Sequence, residues 1–184
     1  EMLPPQLGVV VADRMMRRRP DIERAQRLVD EGLRSWQRLG TAMPRERLVE
    51  VHAMRCDLTP DDDALRFLLR STLGHATGEL RDAPRYWLDR LSDPDDGMDL
   101  LLVALFDGDA AVRRRAAVLL ARFREPEVTD RLFILAVTDA DADAEVRAAA
   151  IASLAQRRDD ALRARALQVV DTPGQPRRRE AIEL

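Results

Sequence analysis

Asp107-Gly-Asp-Ala-Ala-Val112-Arg113-Arg-Arg-Ala116-Ala117-Val-Leu-Leu120 is followed, thirty-four residues on, by Asp141-Ala-Asp-Ala-Glu-Val146-Arg147-Ala-Ala-Ala150-Ile-Ala-Ser-Leu154. The two stretches share one pattern: an acidic residue, five intervening residues, then an arginine that opens an apolar stripe of small side chains. The pattern returns as Asp171 and Arg177 after thirty more residues. On a helical wheel Val112, Ala116, Leu119, Leu120 and Phe123 fall on one stripe, and Val146, Ala150 and Leu154 repeat it. A period of this size is the mark of a helical repeat array, in which neighbouring helix pairs bury each other's apolar faces and the product is a stack with an extended surface.

Outward from this stretch, helix punctuation continues. No segment shows sustained period-two alternation of β-branched residues, so the chain reads as all-α. Pro20-Asp21 is expected to open a long helix with Ile22, Ala25, Val29, Leu33 and Trp36 on one stripe, closed by Gly40 as a C-cap. Pro44 starts a second helix carrying Leu48, Val51 and Met54. Thr59 is expected to cap a third, with Pro60 in its first turn and Asp61, Asp62 and Asp63 at the positive end of its dipole, running through Leu65, Leu68 and Leu69 to Gly74. Further helices are expected near 84–91, 97–106, 109–123, 126–138, 143–157, 160–170 and 176–184. The linkers are short enough to force antiparallel neighbours. Pro84-Arg85 with Leu88 and Leu91 is a degenerate copy of the pattern, with Glu79 six residues before its arginine.

The Asp107–Leu120 and Asp141–Leu154 runs resemble HEAT-like repeats of the phycobilisome-lyase type. The resemblance covers residues 77–184, most closely in these two units. It implies a right-handed α-solenoid of antiparallel helix pairs, a HEAT-like or ARM-like superhelix. It also implies a structural ladder in which Asp107, Asp141 and Asp171 sit in the turns between helices A and B, while Arg113, Arg147 and Arg177 each reach a neighbouring turn and tie adjacent repeats together. Residues 1–76 carry helices without the motif and form an N-terminal helical region, either degenerate repeats or a cap. Pro176 to Leu184 reproduces only the start of a B helix, with Ile182 on its outer face, so the array is expected to be cut mid-repeat at its C-terminal end.

Composition narrows function by exclusion. The chain has 184 residues, 46% of them hydrophobic but only seven aromatic, so its core must be built from Leu, Val and Ala. There is no lysine and no asparagine, and thirty arginines carry every permanent side-chain positive charge. This depletion of AT-rich codons suggests a bacterial genome of high GC content. Without lysine there is no P-loop and no Schiff-base nucleophile. A net charge of −3, with acids and arginines alternating, argues against a dedicated nucleic-acid binder. One cysteine permits no internal disulfide, which fits a reducing compartment and a cytoplasmic protein. No stretch approaches the length of a membrane span, and Leu7 to Ala12, which is followed by a basic run, is too short for one.

Candidate sites are few. His52 and Cys56 stand four apart on one helix, a spacing compatible with two metal ligands, but two are too few and no metal or cofactor is expected. Asp139, Asp141 and Asp143 start like a calcium loop, yet Ala144 and Ala150 occupy the positions that need glycine and glutamate. These acids read as turn residues and as caps for the helix containing Val146. No Gly-x-Ser-x-Gly elbow is present, and enzyme activity is not expected. The outward faces of the B helices are the most informative surface. Tyr86 and Arg90, then Arg114 and Val118, then Arg178 form a mixed aromatic, cationic and apolar set of the kind enriched at protein interfaces. The expected function is a non-enzymatic scaffold that binds another protein, or another domain of its own chain, through a concave B-helix face. Two alternatives stand beside it: a HEAT-like nucleic-acid-binding protein or DNA glycosylase, and a bilin-lyase-type enzyme.

Overall fold

The computed structural model describes residues 5–138 and 143–157, together with Leu162 and Ala164. Among the described residues every regular element is helical and none is a strand. The chain divides into two compact units, Glu1–Arg90 and Leu91–Leu184.

In the first unit α1 runs from Pro5 to Leu39, α2 from Arg45 to Ala53, α3 from Asp62 to Leu73, and α4 from Ala83 to Leu88 after a 3₁₀ turn at Gly78–Leu80. α1 starts well before Pro20 and passes through it. A proline inside a helix removes one backbone donor and crowds the preceding turn, at a cost of about 3 kcal/mol. Pro20 is exposed. Gly40 ends α1 in the left-handed region at φ 67°, as the C-cap reading requires, and its N–H donates to the Trp36 carbonyl at 2.8 Å. The cap of α3 is Asp61 and not Thr59: its carboxylate accepts from the Ala64 N–H at 2.9 Å. A carboxylate at that place satisfies an orphan donor and also favours the positive helix end, which a hydroxyl two residues earlier cannot do.

α3 is the centre of this unit. Phe67, Leu68, Leu69 and Leu73 are fully buried, with α1 on one side and α4 on another. Trp36 of α1 stacks on Phe67 with ring centroids 5.7 Å apart. Gly32 lets α1 approach this ring: a Cβ there would come within 2.7 Å of Phe67. Trp87 of α4 is wholly buried. Each such side chain removed from water contributes about 1.5–3 kcal/mol. The 3₁₀ turn and α4, which the arginine spacing groups with the repeats after residue 77, therefore pack in the structure with the helices before them.

The second unit contains α5 (Pro94–Ala104), α6 (Ala110–Leu120), α7 (Pro126–Phe133), which continues as a wider π turn over Ile134–Thr138, and α8 (Ala144–Ala155). α5 packs on α6, α7 on α8, and α6 on α8, so two helix pairs stack through their second helices. The repeated stripe is the seam. Val112, Ala116, Leu120 and Phe123 are buried, as are Val146, Ala150 and Leu154, while Leu119 is half-buried. Small residues at the contact let the axes come close. There the Ser153 hydroxyl of α8 donates to the Ala117 carbonyl of α6 at 2.9 Å. Asp93, Asp109 and Asp143 cap α5, α6 and α8, each accepting from the N–H two residues on at 2.8–2.9 Å. Asp143 thus takes the capping role that its place before Val146 suggested.

Candidate functional site

The Asp107 carboxylate accepts from the Asp109 N–H at 2.8 Å, and the Arg113 guanidinium donates to the carbonyls of Asp107 at 2.6 Å and Gly108 at 3.1 Å. Arg113 therefore closes the turn before its own helix, where the resemblance implied a bond to a neighbouring turn. The physical reason is reach: one helical turn separates Arg113 from that turn, whose carbonyls lack helix partners. Arg147 occupies the matching place on α8 and is half-buried. Asp141, Asp171 and Arg177 lie outside the described residues.

Arginines outside the repeated pattern also bond between helices of this unit. Arg157, buried just after α8, donates to the Leu120 carbonyl at the end of α6 at 2.9 Å and to the Thr129 hydroxyl of α7 at 2.6 Å. Arg124 donates to the Arg157 carbonyl at 3.2 Å, and Arg114 meets Glu145 at 3.6 Å. The first unit uses the same device: Arg45, at the start of α2, donates to the His75 and Thr77 carbonyls at 3.2 and 3.4 Å. Guanidinium groups satisfy carbonyls that helix ends leave open, and they do so without needing carboxylates.

The surface residues expected to bind a partner are found in both units. Tyr86 and Arg90 lie on and just after α4. The Tyr86 hydroxyl donates to the Arg55 carbonyl at 2.8 Å and accepts from Arg90 at 3.1 Å, and Arg90 also donates to the Leu58 carbonyl at 3.3 Å. The Tyr86 ring meets His52 and Trp87 edge-on, with centroids 5.9 and 4.8 Å away. Arg114 and Val118 lie one turn apart on α6 in the second unit, Val118 being 55% exposed. Arg178 lies outside the described residues.

His52 is 6% exposed, and its Nδ1 has no hydrogen-bond partner. Burial above all, then the positive charge of Arg55, lowers its pKa from 6.5 to about 4 against an opposing pull from Asp82. It is a neutral core imidazole at neutral pH. Cys56, four residues on, is exposed. Among the described residues no group of three or more His, Cys, Asp or Glu side chains is placed to hold a metal ion.

Several large apolar side chains are exposed away from the B helices, Leu39 of the first unit at 72% among them. Val103 is 75% exposed, Phe106 68% and Ile134 41%. Val103 is near the end of α5 and Phe106 follows in the turn after it, three residues on, and a wheel drawn for that helix as well as for the B helices could have found Val103 opposite buried Leu101. Arg131 of α7, one turn before Ile134, holds its guanidinium over the Phe106 ring at 5.8 Å. The observed contact is Arg131 over Phe106, and the exposed Val103 and Ile134 stand three residues before Phe106 and three after Arg131 in sequence. Large apolar side chains held together in water mark interaction sites more often than scattered ones do.

Residues 98–184 match the family model described as HEAT repeats. This part of the chain, from residue 98 on, is similar to HEAT repeats. The match begins within α5 and takes in the α5–α6 and α7–α8 pairs, the elements whose stacking stripe repeats in sequence. A search of curated proteins returns no match. Among the described residues no helix is long and apolar enough to cross a membrane. HEAT repeats commonly serve as protein-interaction scaffolds, and the exposed Val103, Phe106, Val118 and Ile134 all belong to the HEAT-repeat unit.

Proposed function

We propose that this protein is a non-enzymatic scaffold whose HEAT-repeat unit holds another protein, or another domain of its own chain. The observation that carries the reading is the exposed Phe106 ring under the Arg131 guanidinium, with Val103 and Ile134 also exposed in the same unit. An aromatic anchor beside an arginine is the composition that dominates interface energetics. Val118 and Arg114 on α6 extend the binding surface to the B helices. The chemistry required of a nucleic-acid binder finds less support, because the net charge is −3 and Arg114 and Arg131 are each matched by a glutamate. An all-arginine cation set and one cysteine support a cytoplasmic protein of a high-GC bacterial genome.

The test is quantitative affinity capture from the source organism with the wild-type chain and with Phe106→Asp. A protein retained by the first and lost from the second, with thermal stability unchanged, is the expected result. Identical captured sets would refute this surface. A gel-shift titration with duplex DNA covers the rival reading, which requires salt-sensitive binding.

A further inference from the structure

Tyr86 is flanked by two guanidinium groups: Arg55 lies 5.4 Å and Arg90 5.6 Å from its ring centroid. Such cation–π contacts contribute about 0.5–1 kcal/mol at partly exposed sites, enough to orient the cations without neutralising them. The hydrogen bonds of these arginines go to neutral oxygens. Arg55 donates to the His52 carbonyl at 2.9 Å, and Arg90 donates to the Tyr86 hydroxyl and the Leu58 carbonyl. Among the described residues neither has a carboxylate within ion-pair distance, although Arg24, Arg45, Arg66, Arg85, Arg114 and Arg131 all do.

A guanidinium has five N–H donors in a planar fork. Arg55 engages one terminal nitrogen and Arg90 both, so each retains N–H groups for a further acceptor. Arg90 is exposed and Arg55 half-buried, and the Tyr86 hydroxyl is fixed by bonds in both directions. The pair is thus preorganised around a held ring, which lowers the side-chain entropy lost on binding.

We infer that Arg55, Tyr86 and Arg90 form a docking site for a carboxylate-bearing segment of a partner protein, with glutamate or aspartate oxygens on the guanidinium forks and an apolar residue against the tyrosine edge. The inference rests on the scaffold reading and names a second contact, located on the first unit. Asp57, Asp82 and Asp89 lie nearby in sequence and repel a densely charged polyphosphate more strongly than a short segment that carries one or two carboxylates.

The probe is a short fluorescein-labelled peptide of alternating glutamate and leucine, titrated by anisotropy at low salt against the full chain. Its control replaces every glutamate with glutamine. The glutamate peptide is expected to bind and the glutamine peptide to fail. The variant Arg55→Gln with Arg90→Gln should weaken binding by about tenfold or more, and added salt should weaken the wild-type complex. Should the double variant fail to fold, Arg90→Glu at the exposed position carries the test alone. No binding at millimolar peptide, equal binding of the two peptides, or equal binding by the arginine variants would overturn the inference. If the peptide fails while Phe106-dependent capture persists, the inference falls and the scaffold reading stands. If Arg55- and Arg90-dependent peptide binding is found but Phe106→Asp captures the same proteins as wild type, the surface around Phe106 falls instead.

Discussion

Acidification is predicted to destabilise the first unit through one residue, His52. Its imidazole is 6% exposed, its Nδ1 lacks a partner, and it is edge-on to Tyr86 and Trp87. Burial and then Arg55 hold its pKa at about 4 in the folded state, against 6.5 for a free side chain. Because the folded value is the lower one, the unfolded chain binds the proton first as pH falls. The stability of burying a neutral ring is thus fully present above pH 6.5 and is lost progressively between 6.5 and 4. At about 1.4 kcal/mol per unit of displacement the loss attributable to His52 is about 2 kcal/mol at pH 5 and approaches 3 kcal/mol below pH 4. Carboxylates titrate in the same window, so the measurement is a difference: urea unfolding of wild type and His52→Leu at pH 8 and at pH 5, followed by the near-ultraviolet signal of Trp36 and Trp87. The variant is expected to gain about 2 kcal/mol on wild type between the two conditions. Stability differences that are the same at both pH values would refute the reasoning. Arg55→Gln should shrink the pH-dependent part, because it removes the second cause of the depressed pKa.

Two glycines should respond oppositely to local space. Gly32→Ala puts a methyl 2.7 Å from the Phe67 ring and should destabilise by about 1–3 kcal/mol despite alanine's better helix propensity. Gly40→Ala meets no neighbour within 4 Å and should cost about 1–2 kcal/mol through its positive φ alone; calorimetry of the two variants separates these costs. In the second unit Arg157→Ala removes donors from the Leu120 carbonyl and the Thr129 hydroxyl, and it should destabilise by about 2–4 kcal/mol in urea, well above the effect of a surface substitution.

Much of the fold was legible in the sequence because it rests on local, repeated physics. The Val112 and Val146 stripes are buried where the period placed them, Gly40 and Asp143 punctuate as their chemistry requires, and the HEAT match covers the same repeats. α1 was misread at its start because the rule that proline opens a helix is statistical, and Pro20 faces solvent where its ring is tolerated. Asp61 displaced Thr59 as a cap because several good capping residues were adjacent. The arginine contacts were harder to read. A period says that Arg113 is structural, but a flexible side chain with many donors can reach its own turn or the next, and only coordinates choose. Tyr86 and Arg90 drew notice by residue type, whereas their bonds to Arg55 and Leu58 depend on a neighbour about thirty residues away. Phe106 stands in the turn after α5, outside the repeating B-helix stripe, so its exposure is set by packing and not by the period.

The central claim is that the recurring Arg113 closes its own turn and serves stability, while exposed side chains that do not recur are the ones proposed to bind. It is tested most directly by measuring thermal stability and partner affinity in the same two variants, Arg113→Ala and Phe106→Asp. The account predicts that Arg113→Ala lowers the melting temperature and leaves the affinity of the folded protein within about twofold, while Phe106→Asp leaves the melting temperature in place and weakens the partner about tenfold or more. The reverse pattern, with affinity lost at Arg113 and stability lost at Phe106, would contradict it.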